Sequence, residues 1–129
     1  MAVKGLKKQV DTLHSRLVRE RDVVCQYHPD PADCAGNLQC CHIVSRRYLT
    51  TRWQMENAVA MCARAHVSMT ARPDEWAVWV DDRFGPGFYQ AKAREAQQSP
   101  PLKGAKWWAA ELERLEAMPR RDVLGWTNP

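Results

Sequence analysis

The residues best suited to chemistry stand together in the middle of the chain. They are Cys40-Cys41-His42-Ile43-Val44-Ser45-Arg46-Arg47, then Asn57, then Met61-Cys62-Ala63-Arg64-Ala65-His66. A histidine has a reference pKa of about 6.5, so near neutral pH its ring can accept a proton or bind a metal. Arginine offers a planar fork that matches two phosphate oxygens. Cysteine thiolates suit soft or borderline metal ions. Each residue taken singly has an ordinary alternative: a hydrogen-bonded histidine, a turn asparagine, a solvated arginine face, a buried apolar cysteine. Their layout as strand, loop, strand and helix gives them a joint meaning. A hairpin laid against a helix can gather His42, Asn57 and His66 at one point, beside a phosphate.

The elements that must do this positioning are readable from periodicity. Leu6, Val10, Leu13 and Leu17 recur at helical spacing and predict an amphipathic N-terminal helix over about 4–21. Pro29, Asp30, Pro31, Asp33, Gly36 and Asn37 mark a loop. Leu38 to Val44 and Ala58 to Cys62 read as two short strands with a polar, arginine-rich loop between them, and a helix is expected from about Met61. Pro73, followed by Asp74 and Glu75, begins another helix, because proline suits the first turn and acids favour its positive end. Trp76, Trp79 and Val80 form its expected buried face, and Gly85, Pro86 and Gly87 its end. After the breaker Ser99-Pro100-Pro101, a last helix carries Ala105, Trp108, Leu112 and Leu115. Trp76, Trp79 and Trp108 are expected in the core, where their area is worth most, and Trp107 is left open. The fold class is α+β in a single domain over 1–129. Its N-terminal helix spans 4–21, its nucleus 25–72, its helical extension 73–117 and its frayed tail 118–129.

A chain of 129 residues with 45% apolar and 26% charged residues has the balance of an ordinary globular domain. No apolar run approaches the ~20 residues that span a bilayer, and the start has no signal-peptide pattern, so a cytoplasmic protein without a membrane partner is expected. Five cysteines in such a chain read as metal ligands or buried thiols rather than disulfides. The formal net charge is +4, and residues 42–72 carry Arg46, Arg47, Arg52, Arg64 and Arg72 against Glu56 alone. That local excess points to nucleic-acid contact through Arg46, Arg47, Arg52 and Arg64.

The central segment resembles the HNH endonucleases, whose nucleus is a two-stranded hairpin with a metal-binding helix. The resemblance lies in His42-Ile43-x-x-Arg46, in Asn57 just before the second strand, and in Cys62-x-x-x-His66 at the helix start. The longer string Cys41 to Trp53 is similar to a phage branch related to the NinG/Rap recombination proteins, which implies a host-cytoplasmic setting and DNA that is duplex, nicked or branched. The resemblance implies a ββα-metal nucleus that hydrolyses phosphodiester bonds. His42 would be the base that activates water, and Asn57 would orient it or brace the loop. His66 would hold a divalent ion, magnesium or manganese with zinc or nickel as alternatives, and Arg46 would contact the phosphate beside the cut.

The chain departs from that pattern in informative places. Cys41 stands where many relatives of this kind carry a metal-binding aspartate or histidine, and Thr70 where a further histidine is common. The structural zinc that the resemblance implies is usually held by two Cys-x-x-Cys pairs. Here Cys25, Cys34 and Cys62 remain, with Ala65 at the position of a fourth thiol. His28 or Cys40 would have to complete a tetrahedral set, or the site is lost and these thiols are simply buried. Two other readings stay open: a non-catalytic DNA-binding module that keeps a degenerate nucleus, and a small zinc-stapled interaction domain.

Overall fold

The structure is a computed structural model that describes residues 3–98 and 104–118. The first helix, α1 (Val3–Asp22), buries Leu6, Val10, Leu13, Leu17 and Val18 along one stripe, as its spacing predicts. It ends where Val23 takes a left-handed φ of 70° and donates its N–H to the Arg19 carbonyl at 2.8 Å. That conformation is costly for a β-branched residue. It turns the chain back toward the sheet.

Strands β1 (Leu38–His42) and β2 (Ala58–Cys62) pair antiparallel, with Leu38 opposite Cys62 and His42 opposite Ala58. The two-residue alternation sends Leu38, Cys40 and His42 to one face and Gln39 and Cys41 to the other. A core lies on each face. One joins α1, Trp53, Met55, Ala58 and Ala60 to Trp108 and Leu115 of α5 (Ala105–Glu116). The other joins Cys41, Val59 and Met61 to α2 (Ala63–Thr70), α3 (Pro73–Phe84) and α4 (Phe88–Ala96). The ribbon is therefore sandwiched, and β2 is buried along its whole length.

The outer edge of β2 is not left open. Buried Arg21 donates to the carbonyls of Met55 and Ala58 at 2.7 and 2.6 Å, and its partner Asp22 accepts the Ala60 N–H at 2.8 Å. The Gln26 N–H meets the Ala60 carbonyl at 2.9 Å. These bonds satisfy edge groups that would otherwise be stranded in the interior.

Among the described residues the architecture is α+β: five α-helices and a two-stranded antiparallel sheet, a layout compatible with a small ββα nucleus. No helix among them is long and apolar enough to cross a membrane. The first strand stops at His42 rather than Val44, and the second helix begins after Cys62. Helix α4 was not foreseen. Gly85 and Gly87, both at positive φ, do end α3, but the Asp81 carboxylate accepts the N–H groups of Gly87 and Tyr89 and starts a new helix at once. The expected break at Ser99-Pro100-Pro101, and the tail beyond Met118, lie outside the described residues.

Candidate functional site

His42 closes β1 on the side that faces α1. Its Nε2 lies 2.9 Å from the Arg52 carbonyl, an acceptor, so that nitrogen carries the proton and Nδ1 keeps the lone pair. The ring stacks on His14 of α1 at 5.5 Å between centroids and 25° between planes. His14 is buried and in turn gives its Nε2 proton to the Gln54 carbonyl at 3.1 Å. Burial, reinforced by the neighbouring His14, pushes the His42 pKa down to about 4 against the pull of the Arg52 carbonyl. Both rings are thus neutral at pH 7.

The loop that holds these rings is itself braced. The Asn57 side chain is fully buried: its oxygen accepts the Val44 N–H at 3.0 Å, and its amide donates to the carbonyls of Val44 and Thr51, both at 3.2 Å. Every Asn57 bond goes to the loop and none to His42. Helix α4 grips the same loop from outside, where Lys92 donates to Gln54 at 2.6 Å and Gln54 donates to Glu95 at 2.9 Å.

His66 projects from α2. Its Nδ1 donates to Gln39 on β1 at 2.8 Å, which leaves Nε2 with the lone pair. Such an outer partner is the usual way a metal-binding imidazole is oriented. Thr70 is occupied locally, its hydroxyl donating to the His66 carbonyl at 2.8 Å.

His42, His66 and Arg46 line one cleft of about 440 Å³, together with Asp11, His14 and Ser45. Asn57 is not among the lining residues. The arginines divide sharply. Arg46 is exposed at the rim, with a loose 3.8 Å ion pair to Asp11. Arg47 is exposed, its guanidinium 4.9 Å from the Tyr48 ring centre. Arg52 instead grips Asp11 with two bonds, at 2.8 and 3.1 Å, and Trp53 adds a third to that carboxylate at 2.7 Å. Arg64 is exposed and donates to the Asp33 carbonyl at 3.0 Å.

A second constellation forms where α1, the 25–37 loop and the end of β2 meet. Cys25, His28, Cys34 and Cys62 bring one donor atom each within 4.8 Å of the others. The His28 Nδ1 stands 3.5 Å from the sulfurs of Cys34 and Cys62 and 4.0 Å from that of Cys25. With Zn–S near 2.3 Å and Zn–N near 2.0 Å, the edge of a tetrahedron is about 3.6 Å. The set could hold a zinc ion with little movement.

The sequence folds locally to build this set. A 3-10 turn over Pro31–Asp33, capped by Asp30, delivers Cys34, and Gly36 at φ 81° packs where an added Cβ would lie 2.6 Å from that of Ala63. The same loop caps α2, accepting the N–H groups of Ala63 and Arg64 at the carbonyls of Asn37 and Ala35. Burial opposes ionisation of Cys62, but the N–H groups of Ala65 and Ala35 bring its thiol down to about 6. Of the two candidates for fourth ligand, His28 is the one in place; Cys40 lies with His14 and His42 instead.

Burial pushes the thiols of Cys40 and Cys41 up to about 12. Cys41 packs among Val59, Met61 and Trp76, so its environment suits a protonated apolar side chain. His14 and Asp11 are site residues that the sequence reading missed. The signal for His14 was present, because it sits within the apolar stripe of α1 and a polar group buried there must find partners. No family model, curated protein or solved structure matches this chain.

Proposed function

We propose that this protein is a metal-dependent DNA endonuclease of the HNH type with a structural zinc at Cys25, His28, Cys34 and Cys62. The observation that carries the reading is that His42, from the α1 side of β1, and His66, held by Gln39 on the other side, line one cleft, each with one ring nitrogen committed to an acceptor and the other left with its lone pair. Random surface histidines have no reason to share that arrangement. In this reading Nδ1 of His42 takes the proton of the attacking water, while the Arg52 carbonyl holds the opposite edge of the ring and steadies the imidazolium that forms. Arg46 binds the phosphate at the rim, and Arg47 extends the cationic edge. Asn57 acts as a positioning residue through the loop that carries Arg52.

A divalent ion on Nε2 of His66 would neutralise charge developing on the phosphate. Among the described residues His66 belongs to no cluster of three ligands, so water would fill most of its shell. One imidazole with no free carboxylate favours manganese, nickel or zinc over magnesium. That thin shell also motivates the second reading, a DNA-binding module without catalysis.

The test is plasmid nicking with magnesium, manganese, nickel or zinc, using linear, nicked and branched DNA as further substrates. Wild type should nick best with manganese. His42→Ala should lose at least about 100-fold in rate while still binding DNA, and His66→Ala should lose the metal-supported nicking. Cleavage unchanged by His42→Ala would remove the base from this assignment. No cleavage with any ion, alongside salt-sensitive binding, would establish the second reading.

A further inference from the structure

The stacked pair His14 and His42 has a third neighbour. A ring nitrogen of each and the sulfur of Cys40 lie within 4.8 Å of one another, on the facing sides of α1 and β1. These three belong to different elements from the zinc set, and they line the same cleft as His66, which gives an ion a route in. Each imidazole is already oriented by a backbone acceptor, His14 by Gln54 and His42 by Arg52. That outer support is the kind found behind metal-binding histidines. Two imidazoles and a thiol are a soft to borderline donor set, suited to zinc or nickel and poorly suited to magnesium or manganese. The fourth position would face the cleft, as in zinc sites that keep an open coordination place.

We infer that His14, Cys40 and His42 form a second transition-metal site, and that zinc or nickel bound there occupies the His42 lone pair and blocks phosphodiester hydrolysis. Metal binding at this site stands on its own geometry; its inhibitory consequence rests on His42 acting as the base. Three protein donors gather here against four at Cys25, His28, Cys34 and Cys62, so this site is the weaker of the two.

Equilibrium dialysis of the zinc-loaded protein against added zinc, read by elemental analysis, tests the binding. Wild type should take up a second, weaker equivalent. Cys40→Ala should weaken that uptake by roughly 10- to 100-fold, by analogy with the loss of weaker outer contacts, while keeping the first equivalent. His14→Gln, which can still donate to the Gln54 carbonyl, is the second variant should Cys40→Ala not fold. Unchanged uptake of the second equivalent in both variants would overturn the site. A manganese-supported nicking assay with increasing zinc tests the consequence. Wild type should be inhibited, and Cys40→Ala should nick normally yet need at least about tenfold more zinc for the same inhibition. Equal inhibition of the two would show that zinc acts elsewhere, for instance at His66, and would overturn the inhibitory role. If no ion supports nicking, the nuclease reading fails, while the dialysis result still decides whether the site exists.

Discussion

The Asn57 amide makes three hydrogen bonds from a fully buried position, and all three go to the backbone of the loop between β1 and β2. Truncating it strands a buried N–H and two carbonyls, so Asn57→Ala should cost about 2–3 kcal/mol of stability. Asn57→Asp should fare no better, because a carboxylate oxygen would then face the carbonyls of Val44 and Thr51. Urea unfolding checks both. A residue that served His42 directly through its oxygen would tolerate aspartate; a residue that bridges carbonyls cannot. Stability unchanged in both variants would show that the loop is held by something else. At this scale the motif spacing singled out Asn57 and left its role open between orienting the histidine and bracing the loop. Hydrogen-bond direction, which spacing does not carry, decides for the loop.

At the scale of elements, a zinc ion at Cys25, His28, Cys34 and Cys62 would tie three segments together. Cys25 follows the strained turn at Val23, Cys34 ends a single 3-10 turn, and Cys62 sits where β2 becomes α2. Besides that set and the α2 cap, the 25–37 loop is held by the Gln26 N–H on the Ala60 carbonyl of β2 and, from α3, by Arg83 on Gln26 and Trp79 beside Tyr27. The purified protein should therefore contain one zinc per chain bound at this set. Stripping it with a strong chelator, or Cys34→Ala, should cost at least about 3 kcal/mol and lower Tm by roughly 10 °C. Elemental analysis and a melting curve give both readings. A protein that melts unchanged after verified metal loss would make these cysteines ordinary buried thiols.

The elements themselves were unevenly legible. The α1 stripe and β2 stood out because periodicity and an unbroken apolar run are local signals. Helix α4 did not, because its start depends on the Asp81 carboxylate reaching across Gly85-Pro86-Gly87, a motif that locally reads only as an ending. That omission hid a part of the site, since Lys92 and Glu95 of α4 hold Gln54, whose carbonyl fixes His14.

Over the whole molecule, the two cores on opposite faces of the ribbon leave the cleft at one end, where β1, α1 and α2 converge. The formal charge of +4 is modest, so any steering of DNA must come from where the cations sit. The arginine-rich loop looked uniform in sequence. In the fold, Arg46 and Arg47 are exposed, Arg46 with only a loose ion pair to Asp11, whereas Arg52 is spent on Asp11, with its side chain only 12% exposed. The pairing of Arg52 with Asp11 joins residues 41 positions apart, and nothing local announces it. If DNA lies across this rim, Arg46→Ala and Arg47→Ala should each weaken binding to any sequence and reduce the salt dependence by about one released counterion. Arg52→Ala should leave that slope nearly unchanged. Its effect should appear as lost stability, since it breaks the clamp between α1 and the loop carrying the His42 acceptor. Binding curves across a range of salt concentrations, paired with melting curves, separate the two effects. A slope that falls for Arg52→Ala but not for Arg46→Ala would place the nucleic acid on a different surface.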